Sequence, residues 1–489
     1  MIGRLKYISV VAIGAMALSG TAARAQQQPT DSQQEQQPMT PIPAIRSPLA
    51  SAADNGDEDE TPDSQQVIPD TRSLTGAEDL SLGTIPLGHS YWQPRVSVAG
   101  AVDSNPGLSS GGGDWGTWAS LLGGVDIHRT SGVSDMVLSY TGGGIVSNGG
   151  EMESGGIEEL AFKDSLSFRR SKLSVFEQLG YLPESSFGFA GTAGSGIPAG
   201  GGLTLGNGLT AGESILAPPG QNLTSSTAVE WDTKLSPRSS LTFLGSYALL
   251  RYFDDDLADF GDASFQAGYN YQLNRKDTIA ISYQFSAYRY SGLDQSINTN
   301  TIQGSYGRRI TGRLAFQIAA GPQFVSSTEP IVGSTSSSTP AANSVSTLYW
   351  SLNSSLVYRL RRAVLAAAYS HGLTGGSGLL NGAETDVVNG TVNQQLSRTF
   401  NALWSVGYSR NSGFGVVATS SSTQQNYNYW FAGVTLTHPL GRTMDVFVNY
   451  QLQYQTNNMN ACVGAACSSS LTRNQVVFGF NLHKQPIPF

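Results

Sequence analysis

The sequence contains little charge, almost no cysteine and no long apolar run after its first residues. Charged residues make up 13% of the chain, about half the share usual in soluble globular proteins. After residue 25, no stretch approaches the roughly 20 apolar residues that a membrane-spanning helix requires. Only two cysteines occur, as expected for a chain exported to an oxidising compartment. An ordinary soluble domain and a helical membrane protein are therefore both disfavoured.

The first 25 residues have the three parts of a secretory signal peptide. Two basic residues precede an apolar run over residues 8–22, and Ala23 and Ala25 form an A-x-A cleavage pattern. The alternative is a membrane anchor, but the run is short and is interrupted by two glycines. We therefore predict a signal peptide over residues 1–25. An exported chain without spanning helices can still enter a membrane as a closed β-barrel.

Residues 26–88 differ in composition from the rest of the chain. They are rich in Gln, Pro and Ser and end in an acidic part that includes the run 57–60. With 11 acidic and two basic residues, this segment carries a net charge of −9, so the acidic balance of the whole chain, formally −8, belongs to it. Such a composition cannot bury enough apolar surface to fold, so we predict a disordered periplasmic leader.

From about residue 89 the sequence becomes a series of alternating segments, each roughly a dozen residues long. The clearest spans residues 444–455, where apolar side chains alternate with Asn and Gln and only Phe447 breaks the pattern. Residues 263–273 repeat it. A period of two predicts strands, and the division of the two faces gives each strand one apolar and one aqueous side.

The connections between these segments alternate between short basic turns and longer loops rich in Gly, Ser and Asn. The longest loop runs from residue 183 to 222, and another is predicted over residues 375–385. Short turns alternating with long loops are typical of transmembrane barrels. Residues 89–489 are thus predicted to form an all-β, antiparallel up-and-down barrel of about 18 strands, with 16 as the alternative. A soluble β-sandwich fits less well, because tryptophans lie near many segment ends as in an interfacial aromatic girdle.

The end of the chain resembles the C-terminal signal of outer-membrane barrels. Phe478, Phe480 and Leu482 alternate in the last segment, and the chain ends in Phe489. Two prolines intervene before Phe489, and neither can donate to a strand ladder. Residues 91–489 resemble the porin-like superfamily, which implies outer-membrane lipid and the barrel-assembly machinery as partners and a homo-trimer as a further possibility. No motif specific to one type of porin is present.

Function in such a barrel is expected to reside in the inward-facing side chains. Most predicted inward positions are Ser, Thr, Asn, Gln or Gly, and a minority are charged. The charged lumen-lining candidates carry both signs: Glu159, Lys163, Arg169, Glu230, Asp232, Lys234, Arg309 and Arg359. A mainly neutral lining predicts weak ion selectivity and suits small hydrophilic solutes.

Other clusters of reactive residues give weaker signals. Cys462 and Cys467 are predicted to close a small disulfide loop. The aspartates around residues 254–262 could bind Ca²⁺ but lack the spacing of a known calcium motif, so a solvated loop is preferred. Ser370 and His371 could suggest a hydrolase, but no orienting group can be placed beside them. We therefore expect no enzyme activity, no cofactor, no metal and no nucleic acid partner.

Two functions remain at this point. The first is passive diffusion of small hydrophilic solutes through an aqueous channel, with the segment 183–222 as a candidate constriction. The second is a barrel without transport activity that acts as an adhesin, a receptor or a scaffold for a partner.

Overall fold

The structure is a computed structural model that describes most of the chain from residue 90 onward. The described ranges are 90–107, 115–148, 154–182, 221–253, 259–290, 295–329, 343–377, 380–397, 399–413, 426–458 and 470–489. No helix in these ranges is long and apolar enough to cross a membrane.

The described ranges contain 19 β-strands, most of them 12 to 17 residues long. In chain order they are β1 (Tyr91–Asp103), β2 (Gly116–Ser131), β3 (Ser134–Asn148), β4 (Gly155–Ser167), β5 (Ser171–Leu182), β6 (Asn222–Ser236), β7 (Ser239–Tyr252), β8 (Phe260–Gln272), β9 (Asp277–Tyr290), β10 (Ser296–Arg309), β11 (Leu314–Glu329), β12 (Asn343–Arg359), β13 (Ala363–Ser377), β14 (Leu380–Gln395), β15 (Asn401–Gly413), β16 (Asn426–Pro439), β17 (Met444–Asn457), β18 (Ser470–His483) and β19 (Ile487–Pro488).

The strands form one closed antiparallel sheet. Each of β1 to β17 pairs with the next strand in the chain, and β18 returns to pair with β1 from Arg95↔His483 to Asp103↔Gln475. The barrel therefore has 18 spanning strands, and closure removes the exposed edges that an open sheet would leave. This confirms the fold class and the strand number predicted from the alternating segments.

Most strands bury a mainly polar face and expose an apolar face, the reverse of a soluble protein. In β17, Gln451 and Gln453 are 1% and 3% exposed, whereas Val448 and Tyr450 are 42% and 39% exposed. Exposed apolar faces occur on strands all around the barrel, including Ile281 and Val406. Lipid is the environment that makes this arrangement favourable, because an apolar band in contact with acyl chains need not be covered by protein.

The aromatic residues noted in the sequence lie on this outer face. Trp92, Trp231, Trp350, Trp404 and Trp430 are 40% to 52% exposed. Trp92 lies near the end of the barrel that carries the short turns, and Trp430 lies toward the opposite end. Indole rings that face outward near both ends of the strands suit the two interfaces of a membrane.

The connections at one end of the barrel are all short, and the general pattern of such proteins makes that end periplasmic. They join β4 to β5 and β16 to β17, among others, and each leaves only a few residues outside the ladder. At the opposite end, the loop predicted over residues 375–385 is wrong. β13 extends to Ser377, β14 begins at Leu380, and Ser377 pairs with Leu380. Its Gly and Asn content suggested a loop, but the alternate residues still supply a full hairpin ladder.

The C-terminus closes the periplasmic end of the seam between β1 and β18. Phe478, Phe480 and Leu482 point outward and are 42% to 55% exposed. After His483 the chain leaves the ladder and rejoins it as β19, where Ile487 pairs with Trp92. The backbone N–H of Phe489 donates to the carbonyl of Ser90 at 3.2 Å. The two prolines therefore interrupt the last strand without preventing the terminal residues from pairing with β1.

Candidate functional site

The inward face of the barrel is lined mainly by small uncharged polar side chains. Most of the buried polar residues are Ser, Thr, Asn or Gln, contributed by strands on all sides of the barrel. They also bond to one another across strands, as between Asn449 and Thr435 (2.7 Å) and between Asn270 and Thr242 (3.3 Å). Such groups can exchange hydrogen bonds with water or with hydroxyl-bearing solutes without imposing a charge preference.

The charged candidates on β4 and β6 occupy inward positions. Lys163 and Glu230 are each 2% exposed, and Glu159 lies on the same face of β4 as Lys163. The Lys163 ammonium lies 5.4 Å from the centre of the Phe176 ring. Asp232 accepts a hydrogen bond from the Thr242 hydroxyl at 2.6 Å. Three acidic groups and one basic group therefore lie on β4 and β6, which β5 separates, so these candidates leave an excess of negative charge on this part of the wall.

The remaining charged candidates lie at the periplasmic end. Arg309 and Arg359 are the last residues of β10 and β12 and share the inward face of their strands. Lys234 lies near the end of β6 and is exposed. Arg169 is in the turn after β4, which ends at Ser167, so the ladder does not direct its side chain inward. These basic groups surround the periplasmic mouth.

An ion pair that the sequence did not reveal spans the inward face of the first strands. Arg95 on β1 donates two hydrogen bonds to the Asp126 carboxylate on β2, at 2.7 and 2.8 Å. The Arg95 guanidinium also reaches the hydroxyls of Ser139 and Thr141 on β3. Both charged side chains are largely buried, with 12% and 18% of their surface exposed. Because Nη1 bonds both carboxylate oxygens while Nη2 bonds the two hydroxyls, the guanidinium is held on both sides and this cluster is a fixed part of the wall.

A second buried ion pair, which we call the seam pair, joins the first and last spanning strands near the outer end. Asp103 on β1 is fully buried, and Arg473 on β18 lies 2.6 to 2.7 Å from its carboxylate. Gln475 donates to the same carboxylate oxygen at 3.1 Å. The backbone N–H of Asn105 donates to the other oxygen at 3.0 Å. The sequence does not predict that Asp103 and Arg473 form an ion pair, because 370 residues separate them.

The interior also contains apolar patches that sequence analysis missed. One surrounds the seam and includes Trp118, Leu122 and Phe447, all at most 4% exposed. Phe447 is the one apolar residue on the otherwise polar face of β17. That break in the alternation was the only sign in the sequence of this apolar patch. A second patch, which we call the outer apolar patch, consists of Leu250, Tyr252, Tyr290, Ile297, Val325 and Leu373. It lies on the inner wall toward the outer end, where β7 ends and β10 begins.

The outer end of the β13–β14 hairpin leans over the inner wall. Leu373 belongs to the outer apolar patch together with Val325 of β11, and its backbone N–H donates to Gln323 at 2.9 Å. On the other side of the hairpin, Leu380 packs with Tyr427 of β16. β11 and β16 are not neighbours of this hairpin in the sheet. The hairpin end is therefore an inward projection, at the place where a loop over residues 375–385 was predicted. The predicted constriction over residues 183–222 lies almost entirely outside the described residues.

His371 lies at the base of this hairpin in a polar cluster. Its Nδ1 is 2.8 Å from the Asp386 carboxylate, and its Nε2 is 3.6 Å from Glu384. The expectation that no orienting group lies beside His371 is therefore wrong. Ser370 precedes His371 in the strand and points to the opposite face, so these two residues cannot act together as nucleophile and base.

Several predicted features fall outside the described residues. These are the cysteine pair 462 and 467, most of the segment 183–222, and the aspartates at 254–256. Of the remaining aspartates of that cluster, Asp262 is a buried residue of β8 and Asp259 accepts a hydrogen bond from the backbone N–H of Tyr252. Within the described ranges, no group of three or more His, Cys, Asp or Glu residues is arranged to hold a metal ion.

Comparisons with known proteins give similarities at low identity. No family model and no curated protein matches the chain. OccK2 (OpdF) of Pseudomonas aeruginosa is 10% identical with a TM-score of 0.41, over 81% of this chain and 98% of that chain. OccAB3 of Acinetobacter baumannii is 9% identical with a TM-score of 0.42, over 81% of this chain and 100% of that chain. The ferric citrate transporter FecA is 9% identical with a TM-score of 0.39, over 80% of this chain and 65% of that chain.

The nature of the barrel follows from this chain's own geometry. Its ladder closes on itself through β1 and β18, and its connections are short at one end. Its apolar side chains face outward and its polar side chains face inward. Only a barrel surrounded by lipid is stable with that distribution of side chains. The chain is a closed, 18-stranded antiparallel β-barrel of the transmembrane type.

Proposed function

We propose that the chain is an outer-membrane channel through which small hydrophilic solutes diffuse down their gradients. The observation that carries this proposal is the lining of the barrel, in which Ser, Thr, Asn and Gln predominate on the inward face. Barrels of 16 to 18 strands are wide enough to enclose an aqueous path. Selectivity then depends on the width of the path and on the charges along it.

The arrangement of charges supports a preference for neutral solutes. Asp126 is paired with Arg95, and Asp103 is paired with Arg473. A paired charge presents a dipole to a passing solute, and dipoles select much less strongly between anions and cations than a ring of like charges does. The basic groups at the periplasmic mouth, such as Arg359, give at most a weak attraction for anions.

The test is a liposome-swelling assay on the folded protein, with neutral and charged solutes of similar size. We expect pentoses and hexoses to enter readily, and gluconate and lysine to enter at rates within about threefold of each other, because the inner wall carries mixed charge. Swelling no faster than in protein-free liposomes would reject the channel. That result would favour a receptor or scaffold barrel without transport activity.

The last strand supports a further part of the proposal, namely insertion by the barrel-assembly machinery. Phe478, Phe480 and Leu482 form an outward apolar row on β18, the pattern that resembles the assembly signal. Phe489 extends this edge through its hydrogen bond to Ser90. Assembly into a homo-trimer stays a prediction of the porin-like resemblance.

A further inference from the structure

A repeated tyrosine contact runs around the outward face of the barrel. In six of the nine hairpins that close at the outer end, a tyrosine of the first strand donates its hydroxyl to a polar side chain of the second. The acceptor precedes the ladder partner of the tyrosine by two residues, as Asn474 precedes Val476, the partner of Tyr450. The pairs are Tyr140–Glu158, Tyr181–Gln221, Tyr283–Asn300, Tyr369–Asp386, Tyr408–Asn428 and Tyr450–Asn474, with distances of 2.5 to 3.0 Å between the two oxygens.

These contacts lie at the outer boundary of the apolar band. Most of the acceptors are about ten residues from the periplasmic end of their strands, as Asn300 is from Arg309. A rise of about 3.3 Å per residue and a tilt of about 40° place them about 25 Å from that end, which is the height of the band. Tyrosine suits this depth because its ring lies among acyl chains and its hydroxyl lies among head groups. The contacts therefore mark the level of the outer-leaflet head groups.

The β7–β8 hairpin has the tyrosine but lacks the acceptor. Tyr247 pairs with Ala263, so the acceptor position is Gly261. A Cβ placed on Gly261 would lie 3.6 Å from Tyr247 Oη, so the two positions adjoin as they do in the other hairpins. Tyr247 is 52% exposed, and no described residue accepts a hydrogen bond from its hydroxyl. The place of the missing acceptor is open at the surface of the barrel.

An arginine without an ion-pair partner lies beside this open position. Arg289 on β9 is the ladder partner of Gly261 and shares the outward face with it. Its side chain is exposed, and its Nη1 donates to the Asn298 side chain at 3.0 Å and to a backbone carbonyl at 2.8 Å. Both acceptors are neutral, and no described carboxylate pairs with Arg289. The guanidinium therefore brings a positive charge and further N–H donors to the position.

A second arginine borders the position from β7. Arg251 follows Tyr247 by four residues, so both side chains face outward. The Arg251 side chain is 57% exposed, and its Nε lies 3.8 Å from the carboxylate of Asp259. That carboxylate also accepts a hydrogen bond from the backbone N–H of Tyr252. The loose pair offsets one of the two positive charges and leaves the charge of Arg289.

The groups around Gly261 are all donors, whereas the other hairpins place an acceptor there. A ligand that fits must supply oxygen acceptors and negative charge. Phosphate supplies both, and arginine binds it through paired N–H groups. On the outer face of the wall at this depth, the available phosphate belongs to a lipid head group. The acyl chains of that lipid would lie along the exposed side chains below, such as Phe265.

We propose that the outward surface around Gly261, bordered by Tyr247, Arg251 and Arg289, binds the phosphate group of an outer-leaflet lipid. This proposal takes the outer-membrane location from the proposed function, but it requires no transport. The surface lies outside the wall, so lipid binding and conduction can fail independently.

The test compares two lipids at one fluorophore. Bimane is attached to Gly245→Cys in a Cys462→Ser/Cys467→Ser background. Gly245 lies two residues before Tyr247 on the outward face, and an added Cβ there meets nothing within 4 Å. Each protein is folded into phosphatidylcholine vesicles in which about one tenth of the lipid has brominated acyl chains, either as phosphatidic acid or as phosphatidylcholine. Bromines quench on contact, so the ratio of quenching by the two lipids measures the local enrichment of phosphatidic acid. Val448→Cys is the matched control position, because it lies two residues before Tyr450, whose hydroxyl is bonded to Asn474.

We expect phosphatidic acid to quench at residue 245 at least about threefold more strongly than phosphatidylcholine, and the two lipids to quench equally at residue 448. Gly261→Asn supplies the missing acceptor and should bring the ratio at residue 245 to about one. Gly261→Ala is its control and should leave the ratio unchanged, because the added Cβ makes only an ordinary contact. Arg289→Gln removes the uncompensated charge and should lower the ratio at least about twofold.

A ratio near one at residue 245 in the protein without further substitutions would overturn the proposal. It would indicate that the acidic connection 254–256 cancels the charge of the arginines. A high ratio that persists in both Gly261→Asn and Arg289→Gln would overturn it as well, because other groups would then attract the lipid. Loss of the difference in excess inorganic phosphate would identify a site for free phosphate and reject the lipid.

Two further measurements keep the outcomes distinct. Heat-modifiable migration shows that each variant is folded, and Arg251→Gln takes the place of Arg289→Gln if that variant does not fold. Ion conductance is recorded on the same preparations. Enrichment of phosphatidic acid without conductance would reject the channel and retain the lipid site, and conductance without enrichment would do the reverse.

Discussion

Replacing Asp103 with alanine is expected to lower the free energy of unfolding of the barrel by about 3–5 kcal/mol, because it leaves the Arg473 guanidinium buried without its carboxylate. Asp103 is fully buried, and its carboxylate lies 2.6 Å from Arg473. The seam pair joins β1 and β18, which come together only when the barrel closes. The substitution should therefore destabilise the closed barrel and leave the pairing of the other strands unaffected. Urea unfolding in detergent micelles, followed by the shift of the heat-modifiable band on a gel, measures the change.

Two further variants separate the charge effect from the loss of packing. Asp103→Ala/Arg473→Met removes both charges and should recover a large part of the lost stability. Arg251→Ala breaks a pair whose partner atoms are 3.8 Å apart and whose arginine is 57% exposed, and it should cost less than about 1 kcal/mol. If Asp103→Ala is no less stable than Arg251→Ala, the seam pair does not hold the barrel closed.

Shortening the β13–β14 hairpin is expected to raise the conductance of the channel at least about twofold, because it removes the hairpin end whose Leu380 packs against Tyr427 over the inner wall. Deleting residues 376–381 joins Gly375 to Gly382. Thr374 and Ala383 already pair in the ladder, so the two glycines form a two-residue turn with the freedom that such a turn requires. The hairpin would then end before the contact of Leu380 with Tyr427.

A pair of matched substitutions tests the same element without a deletion. Leu373→Ala removes the contact that holds the hairpin against β11, and it should raise both the mean current and its fluctuation. Leu348→Ala removes a side chain of the same size from the outer face and should change neither. If the deletion leaves the conductance unaltered, the hairpin does not limit the path.

The architecture could be predicted from the sequence because it depends on local patterns. The alternation in β17 assigns Gln451 to the inside and Val448 to the outside, and the structure confirms both. Repeating such segments between short and long connections was enough to give the strand number. The prediction failed at residues 375–385 because glycine and asparagine are common in both outer loops and hairpin ends, and composition does not separate the two.

The details of the lumen could not be predicted, because they depend on contacts between distant parts of the chain. Alternation indicates which face Arg95 and Asp103 occupy, but it does not reveal that Asp126 and Arg473 lie opposite them. The ladder between β12 and β13 stops at Leu352↔His371, and no pattern in the sequence indicates this. This end of the ladder arises from the direction in which one hairpin leans, which is a property of packing.

The central claim is that this barrel encloses an open path across the outer membrane, and single-channel recording of the refolded protein in a planar lipid bilayer tests it most directly. We expect stable current steps on the order of 0.1–1 nS in 1 M KCl, with only weak selectivity between K⁺ and Cl⁻, because the lining is mainly uncharged and its ions are paired. A protein that is folded, as shown by its heat-modifiable migration, yet passes no current would contradict the claim.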